Sequence, residues 1–552
     1  MKKDVFTSLV FLAFITCVSS QAIASDESHN NRPTATPIKH VVVIFGENIS
    51  FDHYFGTYPY ALNPPNEPAF HPLPNTPNVN GLTSTLLNHN PNLLNVKVNK
   101  DDAANPFRLA RFQAATADEN HDYNAEQHAF HAGLMDSFPR YTGIPGSPKV
   151  KRQTESEKSS APLQYKNQTK GLVMGYYDGN TVMALWNYAQ HYAMNDNSYG
   201  STFGPSTLGA IELISGQTNG VSDQSNAGNK IIQGGDGTYT EIGDGDPIGD
   251  ICSVTTGPLL QLSSNNIGEM LSKRDISWGW FEGGFDRTRI NSNGTTGCLR
   301  STYSTITRVS DLDYSPHHQP FQYYKATANP EHIRPTSVRM IGHNEDAARH
   351  QYDVEDFFAA VKAGNYPAVS FLKAPAYQDG HAGYSDPLDE QVFVVRVINF
   401  LQQQPDWNST AIILAYDDSD GWYDHQMGPI VNQSTTRADA LTGVGECGDG
   451  STALPGPHTA HAQGRCGYGP RLPLMVISPY SKQNYVDHTL TDQTSVLRFI
   501  EDNWLEGERV GQGSFDAIAG PITGMFDFRH QNTAALILNE STGKVVKNGV
   551  SQ

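Results

Sequence analysis

Short apolar runs recur along the chain, and each gives way abruptly to a burst of polar, ligand-type side chains. Val41 to Phe45 leads into Glu47, Asn48, Ser50, Asp52 and His53. Val369 to Lys373 leads into Asp379, His381 and Asp386, and Ala411 to Tyr416 into Asp417, Asp418, Asp420, Asp424 and His425. Runs this short, rich in β-branched and aromatic residues, predict buried strands. Between them, Asp389 to Gln404 and Thr494 to Trp504 read as helices. The alternation predicts an α/β fold, a sandwich with a central, mainly parallel sheet flanked by helices. Open sheets of this kind bind ligands beyond the carboxyl ends of their strands, so the three polar mouths are expected to converge on one crevice. A solvated Asp/Gly turn accounts for any one cluster alone; three together call for a common purpose.

The chain has 552 residues, and its Asn/Pro-rich stretch near 59–105 and Gly-rich stretches near 216–257 and 443–469 look like insertions into one large domain, residues 25–552. Residues 1–24 combine Lys2 and Lys3, an apolar stretch and Ala22-Ile23-Ala24, the pattern of a signal peptide, so a secreted or periplasmic destination is expected. No later stretch is long and apolar enough to be a transmembrane segment. The formal charge of −19 argues against nucleic acid as partner, because no basic stripe offers itself to phosphates. Beyond the leader stand Cys252, Cys298, Cys447 and Cys466. An even number in an exported chain suggests two disulfides; three connectivities are open, and the sequence-local choice is Cys252 with Cys298 and Cys447 with Cys466.

Glu47, Asn48, Asp417 and Asp418 are all oxygen donors. Such a set suits Mg²⁺, Ca²⁺ or Mn²⁺, with Zn²⁺ admissible where carboxylates and histidine meet. Candidate proton carriers are His121, His317, His318 and His381. The stretch "NDNSYGSTFGPSTLGA" offers Ser198, Ser201, Thr202, Ser206 and Thr207 as nucleophiles, and Ser206 stands at the start of a plausible helix, a setting that favours phosphate. The competing reading makes Ser206 or Thr207 a helix N-cap. No serine sits in a Gly-x-Ser-x-Gly elbow.

"IKHVVVIFGENISFDHYFGTYP", "FGPST", "HHQPFQYY", "YPAVSFLKAP" with "DGHAG", "AIILAYDDSDGWYDH" and "GPRLPLMVISPYS" with "VDHTLTDQTSVLRFIEDNW" together resemble, in that order, the bacterial phosphoesterase family. That family contains phospholipases C and related acid phosphatases on an alkaline-phosphatase-like core. The resemblance implies a divalent metal held by Glu47, Asn48, Asp417, Asp418 and Ser206, with Ser206 also the nucleophile. It implies that His121, His318 and His381 contact the phosphoryl group or the leaving oxygen, His317 replacing His318 if the register slips by one. The expected substrate is a phospholipid or a small phosphate ester, hydrolysed in two steps through a phosphoserine, with His381 or His318 protonating the leaving group. Where the phospholipase branch has Pro-Asn-Arg shortly after its nucleophile, this chain has "TLGA", closer to the acid phosphatases. A sulfatase-like hydrolase is the neighbouring class, but its Cys-x-Pro-x-Arg segment is missing; a secreted Ca²⁺-binding protein would need no hydroxyl beside the acidic cluster.

Overall fold

The computed structural model of the chain describes residues 33–146, 169–450, 454–457, 462–547 and 550–551. The expected signal peptide lies outside the described residues. At the centre is an eight-stranded sheet built, in chain order, from β1 (His40–Gly46), β2 (Ala193–Asn195), β3 (Trp278–Glu282), β4 (Gln351–Asp353), β5 (Val369–Lys373), β6 (Thr410–Tyr416), β7 (Leu474–Ile477) and β8 (Tyr485–Asp487). Across the sheet the order is β4-β3-β5-β1-β6-β7-β2-β8. β1 runs parallel to both neighbours, β5 and β6, and only β7 is reversed. The α/β sandwich expected from the run pattern is therefore present.

The apolar runs are continuous because both faces of the sheet are covered. Val42 and Ile44 of β1 and Ile412 and Leu414 of β6 point into one layer with Trp186, Phe357 and Val395. Val41, Val43 and Phe45, with Ala411 and Ile413, point into the other with Ile211, Ile214, Leu497 and Ile500. Each such side chain contributes about 1.5–3 kcal/mol through burial, which fixes the register and with it the position of every strand end.

Helix Thr494–Trp504 has the predicted limits. The helix expected over Asp389 to Gln404 instead covers Pro387–Gln402, because the Asp386 carboxylate accepts from the Leu388 and Asp389 amides and Pro387 fits the first turn. Segment 216–257 supplies most of a separate five-stranded sheet, which Leu259–Leu262 completes. Segment 59–105 carries three one-turn helices, Ser84–Asn88, Pro91–Leu94 and Val96–Asn99. The disulfides take the sequence-local pairing, Cys252–Cys298 and Cys447–Cys466, with Cα separations of 5.2 and 5.8 Å. Among the described residues no helix is long and apolar enough to cross a membrane.

Candidate active site

Parallel pairing places the polar mouths side by side. Gly46 stands opposite Tyr416 and Ile44 opposite Leu372, so Glu47 and Asp417 leave adjacent strands together while Lys373 ends β5 on the other flank. Asn48 has a positive φ of 59°, a conformation asparagine tolerates better than most residues. In that turn its amide donates to Asp417 Oδ1 at 2.9 Å, which also accepts from the Asp418 amide at 2.7 Å. Asp418 Oδ1 accepts from the Asp420 amide at 2.6 Å. Glu47, Asn48, Asp417 and Asp418 are each no more than 2% exposed.

Ser206 is brought to them by the helix Ser206–Ser215. Pro205, in extended conformation, occupies the N-cap, so Ser206 is the first helical residue and its side chain makes no capping bond. Its Oγ lies 3.1 Å from Glu47 Oε2, 3.1 Å from Asn48 Oδ1 and 2.9 Å from Asp418 Oδ2. A hydroxyl has one proton to give, and three acceptors compete for it. Oxygens gathered this tightly around one hydroxyl, buried and mostly anionic, have the chemistry of a divalent-cation site, and the residues fit such an ion. Thr207 turns away: its amide and hydroxyl donate to Asp244 Oδ1 at 3.1 and 2.8 Å. Further along, a Cβ on Gly209 would overlap the Asp417 carbonyl, so a glycine is what lets this helix lie directly on the mouth of β6. Glu126 holds the loops on either side, accepting from the Ser419 hydroxyl at 2.6 Å and the Gly204 amide at 2.9 Å.

The electrostatics carry the same imprint. Burial, reinforced by Glu47, pushes the Asp417 carboxyl well above the usual range despite Lys373. Burial likewise raises Asp418 to about 7, against the pull of His121. In both, burial is the largest cause, because it disfavours the charged carboxylate. His121 is opposed by burial, but Asp418 and Asp420 outweigh it and hold the imidazole well above its ordinary value; its Nδ1 is 3.1 Å from Asp420 Oδ1. His318 goes the other way: burial, then His317, Lys373 and His381, push it well below the ordinary value.

The predicted residues fall as follows. Glu47, Asn48 and Asp418 meet at Ser206 Oγ; Asp417 stands beside them, with Oδ1 on the Asn48 and Asp418 amides and Oδ2 towards Lys373, and His318 Nδ1 is 3.3 Å from Glu47 Oε1. His317 faces outward of it, with Nδ1 3.5 Å from Asp246 Oδ1 and a side chain 30% exposed. The rings of His121 and His381 have centroids 5.9 Å apart, and Asp118, His121, His381 and Asp420 bring ligand atoms within 4.8 Å of one another. Sequence reasoning left Lys373, Glu126 and Gly209 out of the site. For Lys373 the signal was present, a lysine closing an apolar strand predicted to be buried; for the other two the sequence holds none.

The Phosphoesterase family model matches residues 38–505. The chain belongs to that family. The core is correspondingly alkaline-phosphatase-like. Among curated relatives, the non-hemolytic phospholipase C of Burkholderia pseudomallei is 33% identical over 173 residues, 30% of this chain and 24% of that protein. The non-hemolytic phospholipase C of Pseudomonas aeruginosa is 31% identical over 180 residues, 31% of this chain and 25% of its own length. The chain thus spans about a quarter of each of those two relatives. Phospholipase C A of Mycobacterium tuberculosis is 22% identical over 500 residues, 89% of this chain and 78% of that protein.

Proposed function

We propose that this member of the phosphoesterase family hydrolyses phosphate esters with a divalent metal and a serine nucleophile, acting on glycerophospholipids as a phospholipase C. The observation that carries the reading is Ser206 Oγ set among Glu47, Asn48 and Asp418 at 2.9–3.1 Å. A divalent ion held by Glu47, Asn48, Asp417, Asp418 and Ser206 would lower the serine's pKa and offset the charge on the phosphoryl oxygens. Zn²⁺, Ca²⁺, Mg²⁺ and Mn²⁺ all suit these ligands.

In the chain's own residues the reaction runs as follows. The first turn of helix Ser206–Ser215 directs the hydroxyl, and with it the positive end of the helix, at the phosphorus. Ser206 Oγ forms the new P–O bond while the bond to the alcohol breaks. Water then cleaves the phosphoserine and frees phosphate or a phosphorylated headgroup. His318, held neutral by burial, is poorly suited to donate the leaving-group proton. His121, with Nδ1 3.1 Å from Asp420 Oδ1, is the other candidate donor, with His381 beside it. The sequence expectation favoured His381 or His318.

The runner-up is a broad-specificity acid phosphatase acting on monoesters, favoured by Thr207-Leu208-Gly209-Ala210 after the nucleophile. A panel of phosphatidylcholine, phosphatidylglycerol and a chromogenic monoester, with and without exhaustive chelation, separates the two. Diacylglycerol release that chelation abolishes is expected; turnover of the monoester alone reverses the order, and full activity without metal removes the metal from the scheme.

A further inference from the structure

Lys373 is the one strand-end residue of the site that the scheme above leaves without a task. It is 1% exposed, the last residue of the apolar β5, and its ammonium group lies over the Phe45 ring at 5.0 Å. A buried cation in such a place persists only when paired. Its partners are the two carboxylates that leave the neighbouring strands: Nζ is in close contact with Glu47 Oε1 and 3.3 Å from Asp417 Oδ2. Each carboxylate is thereby divided between two duties. Glu47 turns Oε2 to Ser206 and Oε1 to Lys373; Asp417 gives Oδ1 to the Asn48 and Asp418 amides and Oδ2 to Lys373.

On the same side, Glu47, His318 and Asp379 bring ligand atoms within 4.8 Å of one another, a donor set able to take a divalent ion. Of these three, Glu47 is the one in close contact with the ammonium. Through its contacts the ammonium already brings positive charge to both the Glu47 and the Asp417 carboxylates.

We propose that Lys373 takes the place of a second metal ion, fixing Glu47 and Asp417 and holding the centre to a single divalent cation. This role rests on the metal-dependent reading above. Lys373 is a positioning residue, acting through the carboxylates it holds.

The test counts metal. Metal-free wild type, Lys373→Arg and Lys373→Ala are titrated with Mn²⁺, freed of excess, and examined by elemental analysis and by electron paramagnetic resonance, which distinguishes an isolated Mn²⁺ from a coupled pair. Wild type and Lys373→Arg are expected to hold one ion per chain with an isolated signal. Folded Lys373→Ala is expected to hold two with a coupled signal, and millimolar ethylammonium to expel the second. One ion in folded Lys373→Ala, or none, overturns the role of Lys373 and leaves the metal-dependent reading standing. No ion in wild type overturns that reading as well. Two ions in wild type overturn the role outright, a result that stands even if the alanine variant fails to fold.

Discussion

Ser206→Ala separates chemistry from architecture because the structure gives the hydroxyl no structural duty of its own. Pro205 is the helix cap, and the serine side chain faces only Glu47, Asn48 and Asp418. Its one proton satisfies one acceptor at a time, so truncation removes one buried hydrogen bond, worth about 1 kcal/mol. With an unfolding entropy of about 2 cal/mol/K per residue, a unit of roughly 500 residues loses about 1 °C of midpoint for each kcal/mol. Metal content should persist, since Glu47, Asn48, Asp417 and Asp418 remain. Turnover should fall at least about 10³-fold, near 4 kcal/mol of transition-state stabilisation, because the covalent route is gone. Hydrolysis of a chromogenic phosphate ester, thermal unfolding and elemental analysis on the same preparation measure all three, and acid-quenched wild type should carry phosphate on Ser206. Thr207→Ala is the control: it breaks the bond to Asp244 and should keep most of the activity. A metal-replete Ser206→Ala protein turning over within about tenfold of wild type would refute the nucleophile assignment.

Gly209→Ala should cost far more than its favourable helix propensity suggests, since the added methyl meets the Asp417 carbonyl and must lift the helix from the sheet; weakened metal retention together with lost activity is expected, and wild-type affinity would show the contact to be idle. His121→Asn should slow esters of aliphatic alcohols much more than nitrophenyl esters, which leave without a proton; equal losses on both would take the proton donor elsewhere. Glu390 gives a stability test away from the site: burial, against the hydroxyls of Tyr54 and Tyr416, raises it from 4.5 to about 7. The folded chain therefore binds this proton more tightly than the unfolded one, so its contribution is full below pH 4.5 and is lost as pH rises through about 7. Glu390→Gln should flatten that decline and gain roughly 3 kcal/mol above it, and unfolding curves on both sides of the window that keep the wild-type slope would exclude it.

The sheet and the converging mouths were legible because burial on both faces writes an unbroken apolar run, and the switch to polar residues marks where each strand surfaces. Helix Thr494–Trp504 was legible from its apolar stripe. What escaped depends on geometry at the scale of single residues. The sequence left open whether Ser206 caps its helix or opens it; Pro205 settles that by taking the cap itself. His317 and His318 are equivalent in composition, and only the tight turn Pro316–His318 decides which imidazole meets Glu47. Gly209 enters the account only through the Asp417 backbone packed against it. Lys373 was read as the end of a strand because its partners are distant in sequence.

That distance has a bearing on how the molecule comes into being. The Asn48 amide and the Asp417 carboxylate that accepts from it are 369 residues apart, and 212 separate Ser206 from Asp418. A growing chain therefore displays Glu47, Asn48 and the serine long before their counterparts are synthesised. Until then the reactive hydroxyl has half a cradle, and the edges of β1 await β5 and β6. Prematurely terminated chains lacking residues 417 and 418 would be inert whatever else they fold into. On the function proposed above, a nascent or broken copy would thus stay idle until residues 417 and 418 have joined the sheet.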